Sequence, residues 1–115
     1  MVTGDKTSYM KLGIIISRND PETAFNALRL ANLAGKRGDE VGVFLIGAGV
    51  ELDRLQDARF DVRGQAEAFT SGGGKLMACG TCLKLRNSEG SGICPLSTME
   101  DLYQLVQSAD RVVSF

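Results

Sequence analysis

The sequence predicts a three-layer α/β/α domain built on a mostly parallel sheet. Its strands are continuous apolar runs rather than alternating patterns, which is typical of strands buried on both faces. Strand and helix patterns alternate along the chain, and this order places successive strands in one parallel sheet with helices on both sides. A flavodoxin-like arrangement is the simplest fold of this type. We expect residues 1–10 to be an N-terminal extension that need not be ordered, and residues 11–115 to form a single domain.

Caps and turns set the order of the elements. Asp20 and Pro21 are typical of an N-cap and a first helical position, and residues 47–49 turn the chain into a short segment. Residues 71–74 end the second helix, and residues 97–100 resemble a capping box that begins the last one. The predicted strands lie at residues 11–17, 40–47, 75–78 and 110–115, and the predicted helices at residues 21–36, about 62–70, 82–87 and 99–109.

Two of these helices are strongly apolar on one side. The first helix has an apolar face wide enough to be covered by more than one surface, including a neighbouring subunit. In the last helix, one face carries Met99, Leu102, Tyr103, Val106 and Ala109.

Composition excludes several classes of function. The chain has no histidine, which rules out Ser-His-Asp and Cys-His catalysis as well as histidine-ligated metal sites. A formal net charge of −1, with acids and bases interspersed, argues against nucleic-acid binding. No apolar stretch reaches the roughly 20 residues of a membrane span, and the polar start lacks a signal-peptide core. We therefore expect a cytoplasmic protein, with reduced thiols and with no nucleic-acid or membrane partner.

The chemistry is expected where the third strand ends. In the stretch KLMACGTCLKLRN, Cys79 follows the strand and Cys82 comes three positions later. Ligands of open α/β sheets bind outside the carboxyl ends of the strands, so residues that follow the other strands are expected to line the same site. The expected lining residues are Gly80, Thr81, Arg86, Ser17, Asn19, Gly47 and Gly49.

Several interpretations of the cysteines stay open at this point. The spacing of Cys79 and Cys82 is that of a thioredoxin-type dithiol. Cys79 could instead act alone, as a thiolate stabilised by the next helix N-terminus and by Lys84 or Arg86. It could also be an inert buried thiol. Cys94, in a loop of glycine and serine, is placed to act as a resolving thiol or to have no role.

No metal or organic cofactor is predicted. Three cysteines without histidine lack the fourth ligand of a closed zinc site. Residues 72–75, GGGK, precede a strand and are followed by Leu76, whereas a phosphate loop precedes a helix and has Ser or Thr after the lysine. Residues 47–50, GAGV, lack the third glycine of a dinucleotide-binding turn.

The residues of the third strand and its helix resemble a known family. The pattern K-L-x-x-C-x-x-C-x-x-x-R over residues 75–86 resembles the DsrE/DsrF-like family, most closely its YchN-like branch. Segments at residues 11–31 and 98–115 fit the same family in order and spacing, so the resemblance spans about residues 11–115. It implies a three-layer α/β fold and assembly as trimers or hexamers. Asn87 stands where relatives often have glycine, and asparagine also tolerates a left-handed turn.

The resemblance also implies a function. In sulfur-relay members such as TusD and DsrE, one cysteine carries a persulfide between donor and acceptor proteins, and by position that cysteine corresponds to Cys79. This suggests a sulfur carrier or sulfurtransferase, with protein or low-molecular-weight persulfide partners and with Cys82 or Cys94 as a helper. A carrier requires an accessible Cys79 of low pKa. The alternatives are an oligomeric binding or regulatory module with structural or redox-sensing cysteines, and a CxxC dithiol oxidoreductase.

Overall fold

A computed structural model describes residues 9–88 and 95–115 and confirms the three-layer α/β/α fold. Cys94 and most of the expected N-terminal extension lie outside the described residues. The elements are β1 (Lys11–Ile16), α1 (Pro21–Lys36), β2 (Glu40–Leu45), a 3₁₀ helix (Gly47–Arg54), α2 (Val62–Ser71), β3 (Lys75–Cys79), α3 (Gly80–Leu85), β4 (Leu96–Ser97), α4 (Met99–Ser108) and β5 (Arg111–Ser114).

The strands described form one fully parallel sheet in the order β4–β3–β2–β1–β5. The chain moves from β1 to β2 to β3 in one direction through α1 and α2, and it returns from β4 past β1 to β5 through α4. Because such crossovers are right-handed, the two directions of travel place α4 on the face opposite α1 and α2. All strands end at the same side of the sheet, which we call the carboxyl edge.

The core lies where the central strands meet α1. Val41 to Leu45 are all buried in β2, which explains why this strand has no polar alternation. On the other face, α4 packs closely because Gly42 has no side chain. A Cβ at Gly42 would lie 2.7 Å from Cδ1 of Leu105, the buried residue of α4.

The predicted cap of α1 is confirmed, and the capping box predicted for α4 is displaced by one residue. Asp20 accepts a hydrogen bond from the backbone N–H of Thr23 at 2.9 Å, with Pro21 as the first helical residue. In α4 the capping box joins Thr98 and Asp101 rather than Ser97 and Glu100. The shift occurs because Ser97 belongs to β4, so the first residue free to cap the helix is Thr98.

Other boundaries also move by one or two residues. β1 and β2 stop before Ser17 and Gly47, because the chain already turns there into the connections that follow. α3 begins at Gly80 rather than Cys82, and the two-residue strand β4 was not predicted. Asn87 adopts φ 54°, the left-handed conformation expected for this position. Across the two described ranges, no helix is long and apolar enough to cross a membrane.

The apolar face of α4 is divided between core and surface. Leu105 is buried and Leu102 is half-buried against the core. Met99, Tyr103 and Val106 are exposed, by 62%, 57% and 46%. The helix therefore packs on the sheet through one side of its apolar surface and leaves the other side uncovered within this chain.

Candidate functional site

Cys79 lies at the carboxyl edge, between two paired strands. It ends β3, pairs with Ser97 of β4, and occupies the N-cap position of α3. Its side chain makes no capping hydrogen bond to the first turn of the helix and is 7% exposed. The thiol is therefore more enclosed than the sequence-based hypothesis of an exposed carrier cysteine required.

A cleft lies beside Cys79, which forms part of its wall. It has a volume of about 440 Å³ and opens between α3 and the start of α4, so we call it the Cys79 cleft. Most of its surface is apolar, with few polar groups. The lining residues are Ile46, Cys79, Gly80, Thr81, Cys82, Lys84, Ser97, Thr98 and Met99.

Cys82 stands beside Cys79 and joins it to the 3₁₀ helix. The two thiols are hydrogen-bonded to each other, and Sγ of Cys82 also accepts the backbone N–H of Gly47 at 3.2 Å. Burial and the hydrogen bond with Cys79 raise the pKa of Cys82, and the Gly47 amide and the charge of Arg86 oppose this increase only in part. Cys82 therefore keeps its proton at neutral pH.

An ion pair connects α3 to the 3₁₀ helix at a second point. Nε of Arg86 lies 2.6 Å from Oε2 of Glu51, and Nη1 of Arg86 donates to the carbonyl of Cys82 at 3.1 Å. Oε1 of Glu51 accepts from Nδ2 of Asn19 at 3.2 Å. The hydrogen bonds from Arg86 and Asn19 lower the pKa of Glu51, which is thus ionised at neutral pH.

Two glycines allow the 3₁₀ helix to cross this edge. Gly47 has φ 58°, a left-handed conformation that directs its N–H toward Cys82. A Cβ at Gly49 would overlap the carbonyl oxygen of Ile16, so the helix could not pass this close to the end of β1 with any other residue. The two glycines of the GAG sequence therefore allow the 3₁₀ helix to cross close to the backbone at the end of β1.

The structure brings most of the expected site residues together. Gly80 and Thr81 line the Cys79 cleft, Gly47 contacts Cys82, and Arg86 reaches Asn19 through Glu51. Two others lie apart from the thiols. Oγ of Ser17 donates to the carbonyl of Phe115 at 3.0 Å, beyond the end of β5, and Gly49 packs on β1.

Some site residues were missed because nothing in their local sequence marks them. Glu51 lies in a 3₁₀ helix, which has no 3.6-residue pattern, and Ser97 lies in a strand too short to show any period. The one signal that could have identified Glu51 is chemical: Arg86 was expected in the site, and a buried or half-buried arginine usually pairs with an acidic residue. Within the described ranges, no three Cys, Asp or Glu side chains are grouped so that they could hold a metal ion.

Fold and site together define a small α/β protein with a pair of thiols at the carboxyl edge of a parallel sheet. The chain belongs to the DsrE/DsrF-like family, whose model matches residues 10–115. It is 32% identical to an uncharacterized protein of Methanocaldococcus jannaschii, over 92% of this chain and 100% of that protein. It is 37% identical to an uncharacterized protein of Methanopyrus kandleri, over 82% of this chain and 83% of that protein. Family membership suggests a role of the sulfur-relay type.

Proposed function

We propose that this protein is a cytoplasmic sulfur carrier that holds sulfane sulfur as a persulfide on Cys79. The observation that supports this most directly is the placement of the Cys79 thiol on the wall of an apolar cleft, hydrogen-bonded to Cys82. An enclosed apolar wall shields a persulfide from water. Only a donor or acceptor that fits into the cleft can reach a persulfide held there. The donor and the acceptor are protein persulfides or low-molecular-weight persulfides.

The transfer is a pair of thiolate displacements. The Cys79 thiolate attacks the outer sulfur of a donor R–S–SH, so that an S–S bond forms on Cys79, the donor S–S bond breaks, and R–S⁻ leaves. The acceptor thiolate R′–S⁻ then attacks the outer sulfur of Cys79–S–SH. This step gives R′–S–SH and restores the Cys79 thiolate. Electrons balance in both steps, and no metal or organic cofactor takes part.

Cys82 has a supporting role in this proposal. Because its pKa is raised, Cys82 is a hydrogen-bond donor to the sulfur of Cys79 rather than a competing thiolate. The Gly47 amide fixes the position of that donor by bonding to Sγ of Cys82. A protonated Cys82 does not attack the persulfide on Cys79, so the persulfide is not reduced by its neighbour.

The test is the mass of the intact protein after exposure to a persulfide donor. We expect the wild-type chain to gain one sulfur atom, and peptide mapping to place that atom on Cys79. Loss of two hydrogens, with a disulfide between Cys79 and Cys82, would replace the carrier by a dithiol oxidoreductase. An unchanged mass would leave the cysteines structural and favour a binding or regulatory module.

Sulfide release from the loaded protein should depend on pH through Cys82. Below its raised pKa Cys82 is a thiol, but as the pH rises the thiolate forms and attacks Sγ of Cys79. That step makes the Cys79–Cys82 disulfide and releases HS⁻. We expect the release rate to increase about tenfold per pH unit below the pKa of Cys82, because only the thiolate reacts. Sulfide assayed colorimetrically between neutral and alkaline pH measures this rate.

Cys82→Ser is the matched variant for this measurement. It keeps a hydroxyl donor beside Cys79 but cannot form the disulfide. We expect it to load sulfur and to release none over the same pH range. Release that is equally fast in wild type and Cys82→Ser would show that an external thiol, rather than Cys82, reduces the persulfide.

A homo-oligomer, a trimer or hexamer, is also part of the proposal. The exposed apolar side chains of α4 supply a surface for a second copy, and Val112 of β5 adds to it at 41% exposure. Val112 pairs with Gly13, over which Leu105 of α4 lies, so Val112 and α4 share one face of the sheet. Burying this surface against another copy is favourable because it removes apolar area from water.

Tyr103→Glu is expected to dissociate the oligomer to a 12.3 kDa monomer, because it places a charge in the proposed contact. Size-exclusion chromatography with light scattering measures the change. Leu33→Glu is the comparison, because Leu33 is an apolar residue of α1 that is also exposed, by 49%. If Leu33→Glu dissociates the protein and Tyr103→Glu does not, the subunits meet through α1 instead.

A further inference from the structure

We propose that Glu51 is a positioning residue that holds the Gly47 amide on Cys82 and so fixes the arrangement of the two thiols. The inference deepens the proposed function, because it names a residue that acts on the thiol pair without touching it. Glu51 reaches the site through Arg86 and through its own segment of backbone.

Glu51 joins the connections that follow three adjacent strands. It belongs to the 3₁₀ helix after β2, it accepts from Asn19 in the connection after β1, and it pairs with Arg86 after α3, which follows β3. Its two carboxylate oxygens are divided between these partners, Oε1 to Asn19 and Oε2 to Arg86. One side chain thus connects three segments of the chain that follow different strands of the sheet.

The same 3₁₀ helix touches α3 at two points. Its first residue, Gly47, donates to Sγ of Cys82 at 3.2 Å, and Glu51, four residues later, pairs with Arg86 at 2.6 Å. Arg86 also donates to the carbonyl of Cys82 at 3.1 Å. An N–H to sulfur contact is a weak hydrogen bond, whereas a charge-assisted bond to a carboxylate is a strong one. The strong contact therefore helps to hold the 3₁₀ helix against α3, where Gly47 can reach Cys82.

This arrangement has a consequence for the chemistry of Cys82. The two interactions that favour its thiolate are the Gly47 amide and the charge of Arg86, and the Glu51 carboxylate bonds to Arg86 and lies on the same 3₁₀ helix as Gly47. Cys79, Lys84, Arg86 and Glu51 are the titratable groups near Cys82 on the described elements packed around it. Loss of the Glu51 carboxylate should release the amide and let Arg86 move into solvent. Both changes make Cys82 harder to ionise.

The first measurement is hydrogen exchange at the Gly47 amide, which requires no sulfur chemistry. In Glu51→Ala we expect exchange at Gly47 to be about tenfold faster, while the amides of β2 keep their wild-type rates. Cys82→Ala removes the acceptor and sets the exchange rate of a free Gly47 amide. Glu51→Gln keeps an oxygen acceptor and an N–H₂ group without the charge, and should give an intermediate rate.

The second measurement is the pH profile of alkylation at Cys82, followed by peptide mass spectrometry. We expect the midpoint in Glu51→Ala to move to higher pH, and the alkylation rate at pH 8 to fall about threefold. Glu67→Ala is the matched control, because it removes an ion pair with Arg63 on α2 and no contact with the thiols. It should leave both readouts at wild-type values.

Each outcome decides the proposal. An unchanged Gly47 exchange rate in Glu51→Ala would overturn it, as would an equal increase across β2, which would mean that Glu51 stabilises the whole fold. If Glu51→Ala does not fold, Glu51→Gln gives the same test with the charge alone removed. Failure of the proposed function is a separate result. It is a wild-type Cys79 that takes up no sulfur, and the Gly47 measurement is valid in either case.

Discussion

Replacing Cys79 by serine is expected to reduce sulfur transfer from donor to acceptor by about a hundredfold or more, to the uncatalysed rate. A serine hydroxyl stays protonated at neutral pH and forms no persulfide, so the chain loses the atom on which the transferred sulfur is held. The change is small in volume and lies at a 7% exposed position, so we expect the fold to persist. The measurement is the rate at which labelled sulfur from a persulfide donor reaches an acceptor thiol.

Cys82→Ser separates a carrier from a dithiol enzyme in the same assay. A carrier uses Cys79 alone in transfer, so Cys82→Ser should retain most of the rate, with a hydroxyl in place of the thiol donor. A dithiol oxidoreductase needs both sulfurs, and its two variants would be equally inactive. Transfer that persists at the wild-type rate in Cys79→Ser would contradict the proposal for this residue.

The position of the reactive thiol could be predicted because parallel sheets have a simple geometry. Continuous apolar runs identified β1, β2 and β3, and a parallel sheet brings their carboxyl ends to one side. Cys79 directly follows the third run, so its location required no knowledge of side-chain contacts. Its low exposure could not be predicted in this way, since it depends on β4, whose two residues carry no pattern.

The contacts around the thiols were harder to predict because they are made by irregular backbone. The Gly47 amide reaches Cys82 through a left-handed turn and a 3₁₀ helix, and neither has a sequence period. Glu51 and Arg86 are 35 residues apart in the sequence, and their pairing follows from the way the 3₁₀ helix crosses the edge of the sheet. In α4, the apolar pattern was clear, but an apolar face that covers both core and surface does not indicate which part of it is buried.

Gly49→Ala should be the most destabilising single-methyl change at the carboxyl edge. The new Cβ would overlap the carbonyl oxygen of Ile16, a backbone atom at the end of a central strand that cannot rotate away. Relief requires the 3₁₀ helix to move off β1, which we expect to lower the free energy of unfolding by about 3 kcal/mol. The melting temperature should fall by roughly 10–20 °C, as measured by circular dichroism.

Gly35→Ala is the matched control for that substitution. A Cβ at Gly35, near the end of α1, would meet no atom within 4 Å, and alanine favours helix over glycine by about 0.5–1 kcal/mol. This variant should therefore melt at or slightly above the wild-type temperature. If Gly49→Ala also melts within a few degrees of wild type, the 3₁₀ helix can shift at little cost. The Glu51–Arg86 ion pair would then hold the Gly47 amide on Cys82 without support from the close backbone crossing at β1.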